Sequence, residues 1–352
     1  MGNNYVILSP GLLPLTKKNL VVSIHLKLVT ISCILCGCLM SGCSKTELSP
    51  SGIAILNLQT EVPLRDVEFV NDTLGFVCGG IPGETGIIWR TMNGGMTWSR
   101  VLEVPGRCIY DADFFDGNNG YAGGDALMLL HTTDGGTTWK NEYEHADFSN
   151  WSEFIKPIRK IAYPNPRTII AIGGDTWYKG LMCVSHNWGQ DWFFKDFDNQ
   201  LNDIAVPDIS AVWICGYGLM LLSADSCANL NTLEINEDNF TAIDFSGTAV
   251  GLACGYNGGI YKTTDSGLSW TEVLKSNNTF DKRQHFNDIR FINNNRALAI
   301  GNNGLLLLSI DQGEHWQTLK IDTENDLLSL AEKSAGEIWL CGNNGFLCQI
   351  FL

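Results

Sequence analysis

From Glu61 to the C-terminus the sequence repeats one unit seven times, and this repeat limits the possible folds more than any local pattern does. The units open with DVEF at 66–69, DADF at 111–114, KIAY at 160–163, DIAV at 203–206, AIDF at 242–245, DIRF at 288–291 and SLAE at 329–332. Each opening is followed by a second apolar segment, a Gly-rich turn and a third short apolar segment. Such a unit predicts several short antiparallel strands, stacked against identical neighbours.

A second motif closes most of the units. Its copies are TMNGGMTW at 91–98, TTDGGTTW at 132–139, SHNWGQDW at 185–192, TTDSGLSW at 263–270 and SIDQGEHW at 309–316, with a diverged copy, SADSCANL, at 223–230. The motif resembles the Asp-box, S/T-x-D-x-G-x-x-W, of BNR-repeat propellers. Its hydroxyl and carboxylate side chains can bond the backbone of a hairpin turn, and its Gly can take a left-handed conformation. The motif therefore predicts a structural hairpin and needs no catalytic explanation.

Seven such units predict an all-β fold, a seven-bladed β-propeller of four-stranded antiparallel blades. The last unit lacks an Asp-box and an outer strand, because the sequence ends at Leu352. The segment Ile53–Gln59 precedes the first unit and has the pattern of an additional strand. We therefore expect this N-terminal strand to complete blade seven and close the ring, which removes the exposed sheet edges.

The cysteines follow the same repeat. One position in the second strand is occupied by Cys78, Cys215, Cys254 and Cys341, and in the other units by Ala122, Ile172 and Ile300. Cys183 and Cys348 share another position, in the third strand. A position that accepts Cys, Ala or Ile is typical of an apolar core. The sequence after residue 42 contains no CxxC pair and no Cys/His cluster with metal-ligand spacing, so we predict neither a metal nor a cofactor.

The N-terminal segment has the pattern of a bacterial lipoprotein signal. Lys17, Lys18 and Lys27 precede an apolar run over 28–40. The run ends in LMSGC at 39–43. We predict a signal peptide over 1–42, acylation of Cys43, a tether over 43–52 and the propeller over 53–352. Cys38, in LCGC at 35–38, is the alternative acylation site, and an uncleaved signal anchor is the alternative to cleavage. The pattern predicts an exported, membrane-anchored lipoprotein of the bacterial cell envelope, at the outer membrane or periplasmic face.

The acidic balance of the chain limits the partners it can have. The first 42 residues contain three Lys and no acid, so the remaining 20 basic and 38 acidic residues give a net charge of −18. Phosphate backbones would be repelled, which argues against a nucleic-acid partner. The same charge argues against electrostatic docking on an anionic membrane.

The order of the motifs within each unit is similar to that of the photosystem II stability/assembly-factor propellers and their relatives in non-photosynthetic bacteria. The resemblance covers about residues 53–352 and implies a non-catalytic assembly factor that binds membrane-protein intermediates. Asp-boxes also occur in sialidases and other glycoside hydrolases, so a carbohydrate-active propeller, enzyme or glycan-binding module, is the alternative. The R-I-P-type motif of sialidases is absent, since Pro157-Ile158-Arg159 has the reverse order.

Insertions in the repeat indicate where a partner binds. They span 141–160, 175–180 and 276–285, and in this topology all three lie on the face opposite the Asp-boxes. We predict a basic and aromatic partner-binding surface there, for a protein partner in the cell envelope, composed of Trp151, Lys156, Arg159, Lys160, Trp177, Tyr178, Lys179, Lys282 and Arg283. Alternatively, the long insertion buries its own aromatic residues. Asp125 and Asp175, near Glu84, could form a carboxylate pair, or they cap their loops.

Overall fold

The computed structural model describes residues 48–142, 156–176, 178–233, 239–275 and 284–352. The described strands form seven separate sheets of four antiparallel strands each. The predicted all-β propeller with seven four-stranded blades is therefore confirmed. Among the described residues no helix is long and apolar enough to cross a membrane.

Strand β1 is Gly52–Asn57, and the strands that follow it fill the blades in chain order. Blade one contains β2 (Leu64–Phe69), β3 (Gly75–Ile81), β4 (Thr85–Thr91) and β5 (Ser99–Pro105). Blade two contains β6 (Ile109–Phe114), β7 (Gly120–Gly124), β8 (Met128–Thr132) and β9 (Lys140–Asn141). Blade three contains β10 (Ile158–Asn165), β11 (Thr168–Asp175), β12 (Lys179–Ser185) and β13 (Phe193–Phe197). Blade four contains β14 (Leu201–Ala205), β15 (Val212–Gly216), β16 (Leu219–Ser223) and β17 (Asn231–Leu233).

Blade five contains β18 (Phe240–Ser246), β19 (Val250–Gly255), β20 (Ile260–Thr263) and β21 (Thr271–Leu274). Blade six contains β22 (Phe286–Phe291), β23 (Ala297–Gly301), β24 (Leu306–Ser309) and β25 (Gln317–Thr318), with a short 3₁₀ turn at Asn302–Gly304. Blade seven contains β26 (Leu327–Ser334), β27 (Glu337–Gly342) and β28 (Phe346–Phe351). Its fourth strand is β1, which pairs antiparallel with β28 from Gly52 opposite Phe351 to Asn57 opposite Phe346. The ring is closed by the N-terminal strand, as the sequence predicts.

Each Asp-box forms the hairpin turn between the third and fourth strands of its blade. In blade five the Thr263 hydroxyl accepts a hydrogen bond from the Gly267 N–H (2.8 Å) and donates one to the Asp265 carboxylate (2.8 Å). The same carboxylate accepts from the Ser269 N–H (2.9 Å), and the Trp270 indole N–H donates to the Gly267 carbonyl (3.1 Å). The motif residues thus satisfy the hairpin backbone locally, which is the structural role predicted for them.

Apolar contact between blades supplies the core. The buried side chains form seven clusters, and each cluster joins two neighbouring blades. The cysteines at the repeated second-strand position are all buried and free, as are Cys183 and Cys348. Burial raises the pKa of Cys78 and Cys341 well above the ordinary value of a thiol, as expected for inert core cysteines.

Candidate binding site at the channel mouth

The propeller has two faces that differ in composition. We call the Asp-box face the side formed by the Asp-box hairpins and by the loops between first and second strands. Hydrogen bonds join these two loop types within a blade, for example from the Gly94 N–H to the Thr73 carbonyl (2.9 Å) and from the Gln312 N–H to the Asn295 carbonyl (2.8 Å). The insertion face is the opposite side, formed by the connections between blades and by the loops between second and third strands.

A polar channel runs between the faces along the first strands of the seven blades. At the insertion face each blade lines it with two consecutive residues: Arg65 and Asp66, Tyr110 and Asp111, Arg159 and Lys160, Asn202 and Asp203, Thr241 and Ala242, Asn287 and Asp288, and Leu328 and Ser329. These residues enclose a cavity of about 120 Å³. A second chamber of about 320 Å³ lies toward the Asp-box face, where Glu68, Asp113, Asp244 and Arg290 join the lining.

The Asp that opens a repeat unit connects its blade to the next one. The Asp111 carboxylate accepts from the Ile161 N–H (2.8 Å), that of Asp203 from the Ile243 N–H (2.9 Å), and that of Asp288 from the Leu330 N–H (3.0 Å). These bonds join the first strands of adjacent blades. The opening acids are therefore structural, and their recurrence in the sequence follows from the ring.

Lys160 is the cation of the channel wall in blade three. Its ammonium lies 2.6 Å from an Asp111 carboxylate oxygen and 3.7 Å from one of Asp66. Burial alone would lower the pKa of Lys160, but these two carboxylates raise it well above its ordinary value. Burial raises the pKa of Asp111 to about 7, although Lys160 opposes that rise. Lys160 thus neutralises channel acids and does not present a free charge on the surface.

Two arginines and a tyrosine form a cluster at the channel mouth, which we call the Arg–Tyr cluster: Arg65, Tyr110 and Arg159. Both guanidinium groups stack on the Tyr110 ring, Arg65 at 5.1 Å and Arg159 at 4.9 Å from its centroid. Within the described part of the chain neither guanidinium forms an ion pair, and the bonds they make use Nε. Arg65 donates to the Gly80 carbonyl (3.2 Å) and the Cys108 thiol (3.1 Å), and Arg159 donates to the Gly174 carbonyl (3.1 Å). Among the described residues the outer nitrogens of both guanidiniums form no hydrogen bond, an arrangement that can receive an anion.

Asp125 holds the aromatic centre of this cluster in place. One carboxylate oxygen accepts from the Tyr110 hydroxyl (2.9 Å), and the other accepts from the N–H groups of Cys108 (2.8 Å) and Gly83 (3.3 Å). Burial, together with this hydrogen bond, raises the pKa of the Tyr110 hydroxyl. Asp125 is therefore a loop-capping residue, and its engagement with three donors speaks against a role as one of two catalytic carboxyls.

The structure describes five of the nine residues predicted to bind a partner. Lys156 is buried, and its ammonium bonds the Gly180 carbonyl (3.1 Å) and the Asp196 carboxylate (2.5 Å), so it stabilises blade three. Tyr178 is 65% exposed and packs edge-on against Tyr217, with ring centroids 5.6 Å apart, and Lys179 is exposed beside it. Arg159 and Lys160 take the positions given above. Trp151, Trp177, Lys282 and Arg283 lie outside the described residues, as does the predicted acylation site Cys43.

Sequence reasoning missed Arg65 and Tyr110. Both directly precede the opening of their unit, at the repeat position that Arg159 holds in blade three. An alignment of the seven units shows that this single position contains the two arginines, and the propeller topology places it at the mouth of the ring. The insertions in the repeat point to Arg159 but not to its partners.

The described part of the chain contains no group of His, Cys, Asp and Glu side chains arranged to hold a metal ion. Asp111, Asp203, Asp244 and Asp288 accept hydrogen bonds from backbone N–H groups, Lys160 pairs with Asp111, and Arg290 lies 3.4 Å from Asp288. Among the described residues, the mouth presents two guanidiniums and an aromatic ring. Such a group can bind a carboxylate or another anion.

Comparison with known proteins agrees with the fold. The family model described as photosynthesis system II assembly factor YCF48 matches residues 47–143 and 222–327. The photosystem II assembly lipoprotein Ycf48 of Synechococcus sp. (strain CC9902) is 22% identical over 293 residues, which cover 79% of this chain and 83% of the relative.

Two solved structures of the same family superpose on the propeller. YCF48 bound to a D1 peptide gives a TM-score of 0.68 at 18% identity and covers 87% of this chain and 100% of its own. YCF48 from Cyanidioschyzon merolae gives 0.66 at 15% identity, with 86% and 99% covered. The resemblance that the repeats indicate is confirmed, because the family model matches more than half of the sequence. The chain belongs to the YCF48 family of photosynthesis system II assembly factors.

Proposed function

We propose that this protein is a non-catalytic, lipid-anchored scaffold that binds a segment of a partner protein across the insertion face, at the mouth of the channel. The observation that carries the proposal is the Arg–Tyr cluster. In a region with a net charge of −18, two guanidiniums without a carboxylate partner among the described residues converge on one aromatic ring. This arrangement suits an acidic side chain or a C-terminal carboxylate of a polypeptide.

The family supports a polypeptide as the ligand. A relative with the same fold has been solved with a D1 peptide, and another is a photosystem II assembly lipoprotein. By analogy, the partner of this chain is a membrane-protein assembly in the cell envelope, and the exposed Tyr178 and Lys179 extend the binding surface beside the cluster. Aromatic and Arg side chains are the residues that most often carry binding energy at protein interfaces.

A carbohydrate-active propeller is the weaker alternative. Its catalysis would need two carboxyl groups across a cleft, one of them free to act as an acid. Asp125, one of the candidates, is occupied by three donors that hold the loop and the Tyr110 ring. The engagement of Asp125 with these donors favours binding over hydrolysis at this site.

The lipid anchor is the part of the proposal that depends on Cys43. Acylation there would hold the scaffold at the membrane in which its partner is assembled. Replacement Cys43→Ser should release the protein from the membrane fraction and abolish incorporation of labelled palmitate. If the label persists in that variant and is lost in Cys38→Ser, the anchor is at Cys38.

The binding proposal is tested by capture of membrane proteins after chemical cross-linking in the source cells, with mass spectrometry as the readout. The double variant Arg65→Gln/Arg159→Gln should fold normally and lose the captured partner, with a loss of 2 kcal/mol or more, about 30-fold, expected for buried anchors. The matched control is Arg100→Gln, which removes a guanidinium from an exposed ion pair with Glu103 (3.0 Å). Equal capture by the double variant and the control would contradict the proposed site.

A further inference from the structure

The large apolar side chains that the fold leaves exposed are concentrated on the Asp-box face. Four blades present them on the Asp-box hairpin, and we call these side chains the apolar tips: Met92 is 59% exposed, Met96 82%, Trp188 53%, Leu268 74% and Ile310 61%. Within the described loops of the insertion face, the exposed large hydrophobic side chains are Tyr178 and Tyr256, which carry a hydroxyl group, while Ile55 on β1 is 62% exposed beside Asn344 and Gly345. The two faces therefore differ in character, and the apolar one is the face opposite the Arg–Tyr cluster.

The other three blades contribute from neighbouring positions on the same face. Phe115 is 41% exposed and Ile209 74%, both after the first strand of their blade, and Phe351 is 40% exposed at the Asp-box end of β28. The Ser226 hydroxyl of the diverged hairpin donates to the Ile209 carbonyl (3.4 Å), which places Ile209 beside that hairpin. Every blade thus places at least one large apolar side chain on this face.

The hairpin itself does not require these residues. Trp188 has a φ of 59°, a left-handed conformation that costs a bulky side chain about 1 kcal/mol or more. Gly94 and Gly135 hold the same motif position in blades one and two. A tryptophan that is strained and half exposed gains nothing for the hairpin. Arg167 lies over its ring at 4.8 Å. Tryptophan is enriched at the boundary between water and lipid headgroups, where its amphipathic ring is favoured.

The acids of the Asp-box face do not oppose contact with an apolar medium as strongly as their number indicates. The carboxylates of Asp134 and Asp265 turn back into their own hairpins, where Asp134 accepts from the Thr138 N–H (2.9 Å) and hydroxyl (2.7 Å). These hydrogen bonds lower the pKa of both acids to about 2, so the acids stay ionised and exposed to water at the hairpins. A shallow contact would bury the tips and leave the carboxylates at headgroup level.

We infer that the Asp-box face rests on an electrically neutral lipid surface, into which the apolar tips insert at headgroup depth. Apolar side chains spread over all seven blades suit a continuous soft surface, whereas a protein partner selects a central cluster of anchors. Neutral lipid is specified because a chain of net charge −18 is repelled by anionic headgroups. These observations do not depend on the proposed anchor at Cys43.

The direct test is fluorescence quenching by phosphatidylcholine brominated in its acyl chains. The full chain, reconstituted in such vesicles, should lose a part of its tryptophan emission that the Trp188→Phe variant does not lose. The same comparison is made at high lipid concentration with residues 44–352. This protein includes the closed ring but lacks any acyl group, so the result is independent of Cys43. Equal fractional quenching of both proteins in both preparations overturns the inference. Quenching of Trp188 emission that requires a co-reconstituted membrane protein also overturns it, because the tips then contact protein.

Flotation of the same anchor-free chain with phosphatidylcholine vesicles measures the contribution of the tips. The triple variant Met96→Ser/Leu268→Ser/Ile310→Ser should bind several-fold more weakly than the unmodified chain, and its melting temperature should not fall, since all three side chains are exposed. Tyr178→Ser, on the insertion face, is the control and should float like the unmodified chain. A loss of flotation in the control that equals the loss in the triple variant would contradict the inferred orientation. Failure of the proposed partner binding would change neither measurement.

Discussion

The carboxyl groups of Asp113 and Asp244 face the channel, and burial raises the pKa of each to about 6. The ordinary value for an unfolded chain is about 4. A carboxyl whose folded-state pKa is raised contributes stability below its unfolded pKa, and this contribution is lost as the pH rises through the folded value. Between pH 4 and 7 these two acids therefore make the ring less stable as the pH rises.

Because these pKa values are raised, the stability of the protein should depend measurably on pH. The melting temperature should be higher at pH 5 than at pH 7.5, and Asp244→Asn should raise it at pH 7.5 and reduce the difference between the two. Asn can still accept from the Phe291 N–H, which bonds the Asp244 carboxylate at 2.7 Å. Glu103→Gln removes one charge from the exposed surface and serves as the control in calorimetry at both pH values. A variant with unchanged pH dependence would show that Asp244 is ionised throughout.

The Asp-box glycines show how one element serves two blades. In the five boxes that have it, the Gly at the fifth motif position packs against the second strand of the preceding blade. A Cβ on Gly267 would lie 2.2 Å from the Trp213 ring, and one on Gly95 2.2 Å from that of Trp339. Both glycines also have positive φ, 84° and 89°. The Asp-box thus determines both the conformation of its hairpin and the distance between neighbouring blades.

A pair of matched substitutions separates these two requirements. Gly247 has a φ of 68° and open space around it, whereas Gly267 has a similar φ and a buried Trp neighbour. Gly247→Ala should cost only the left-handed strain, about 1 kcal/mol. Gly267→Ala should cost that strain and a further 1–3 kcal/mol for overpacking. Chemical denaturation provides both free energies of unfolding. Equal losses of stability in the two variants would show that the Trp213 side chain moves aside at no cost.

The strand β1 closes the ring by pairing with β28 over six residues. Its deletion would expose the edge of blade seven and uncover Leu347 and Cys348, which are fully buried. The free energy of unfolding should fall by several kcal/mol, and the protein should tend to associate. Thermal melting and light scattering of the deletion variant test this expectation. An unchanged melting temperature would mean that three strands suffice for blade seven.

The sequence predicts the blades well because their determinants are local and repeat seven times. The box residues bond their own hairpin, and the spare N-terminal strand is identified by the missing strand at the other end. The Arg–Tyr cluster was predicted only in part, because Arg65 and Arg159 lie 94 positions apart and meet on Tyr110 only when the ring forms. Lys156 was expected on the surface, yet a partner 40 positions away, Asp196, holds its ammonium inside. No local pattern contains those pairings.

At the scale of the whole molecule, the two faces separate two tasks. The insertion face presents the Arg–Tyr cluster and the exposed Tyr178, while the Asp-box face presents apolar tips such as Leu268. The binding of an acidic segment by guanidiniums should weaken as salt rises, because partly exposed charges are screened. If both proposals hold, one face lies on the membrane and the other binds the partner. This division would account for the apolar residues of the Asp-box face and the arginines of the insertion face.

The most direct test of this account is photo-cross-linking in living cells from one position on each face. Benzoylphenylalanine replaces Tyr178 or Leu268, and adducts are identified by mass spectrometry. The account predicts a membrane-protein adduct from position 178 that disappears when Arg65→Gln and Arg159→Gln are introduced, and no such adduct from position 268. The same protein adduct from position 268, with none from position 178, would contradict it.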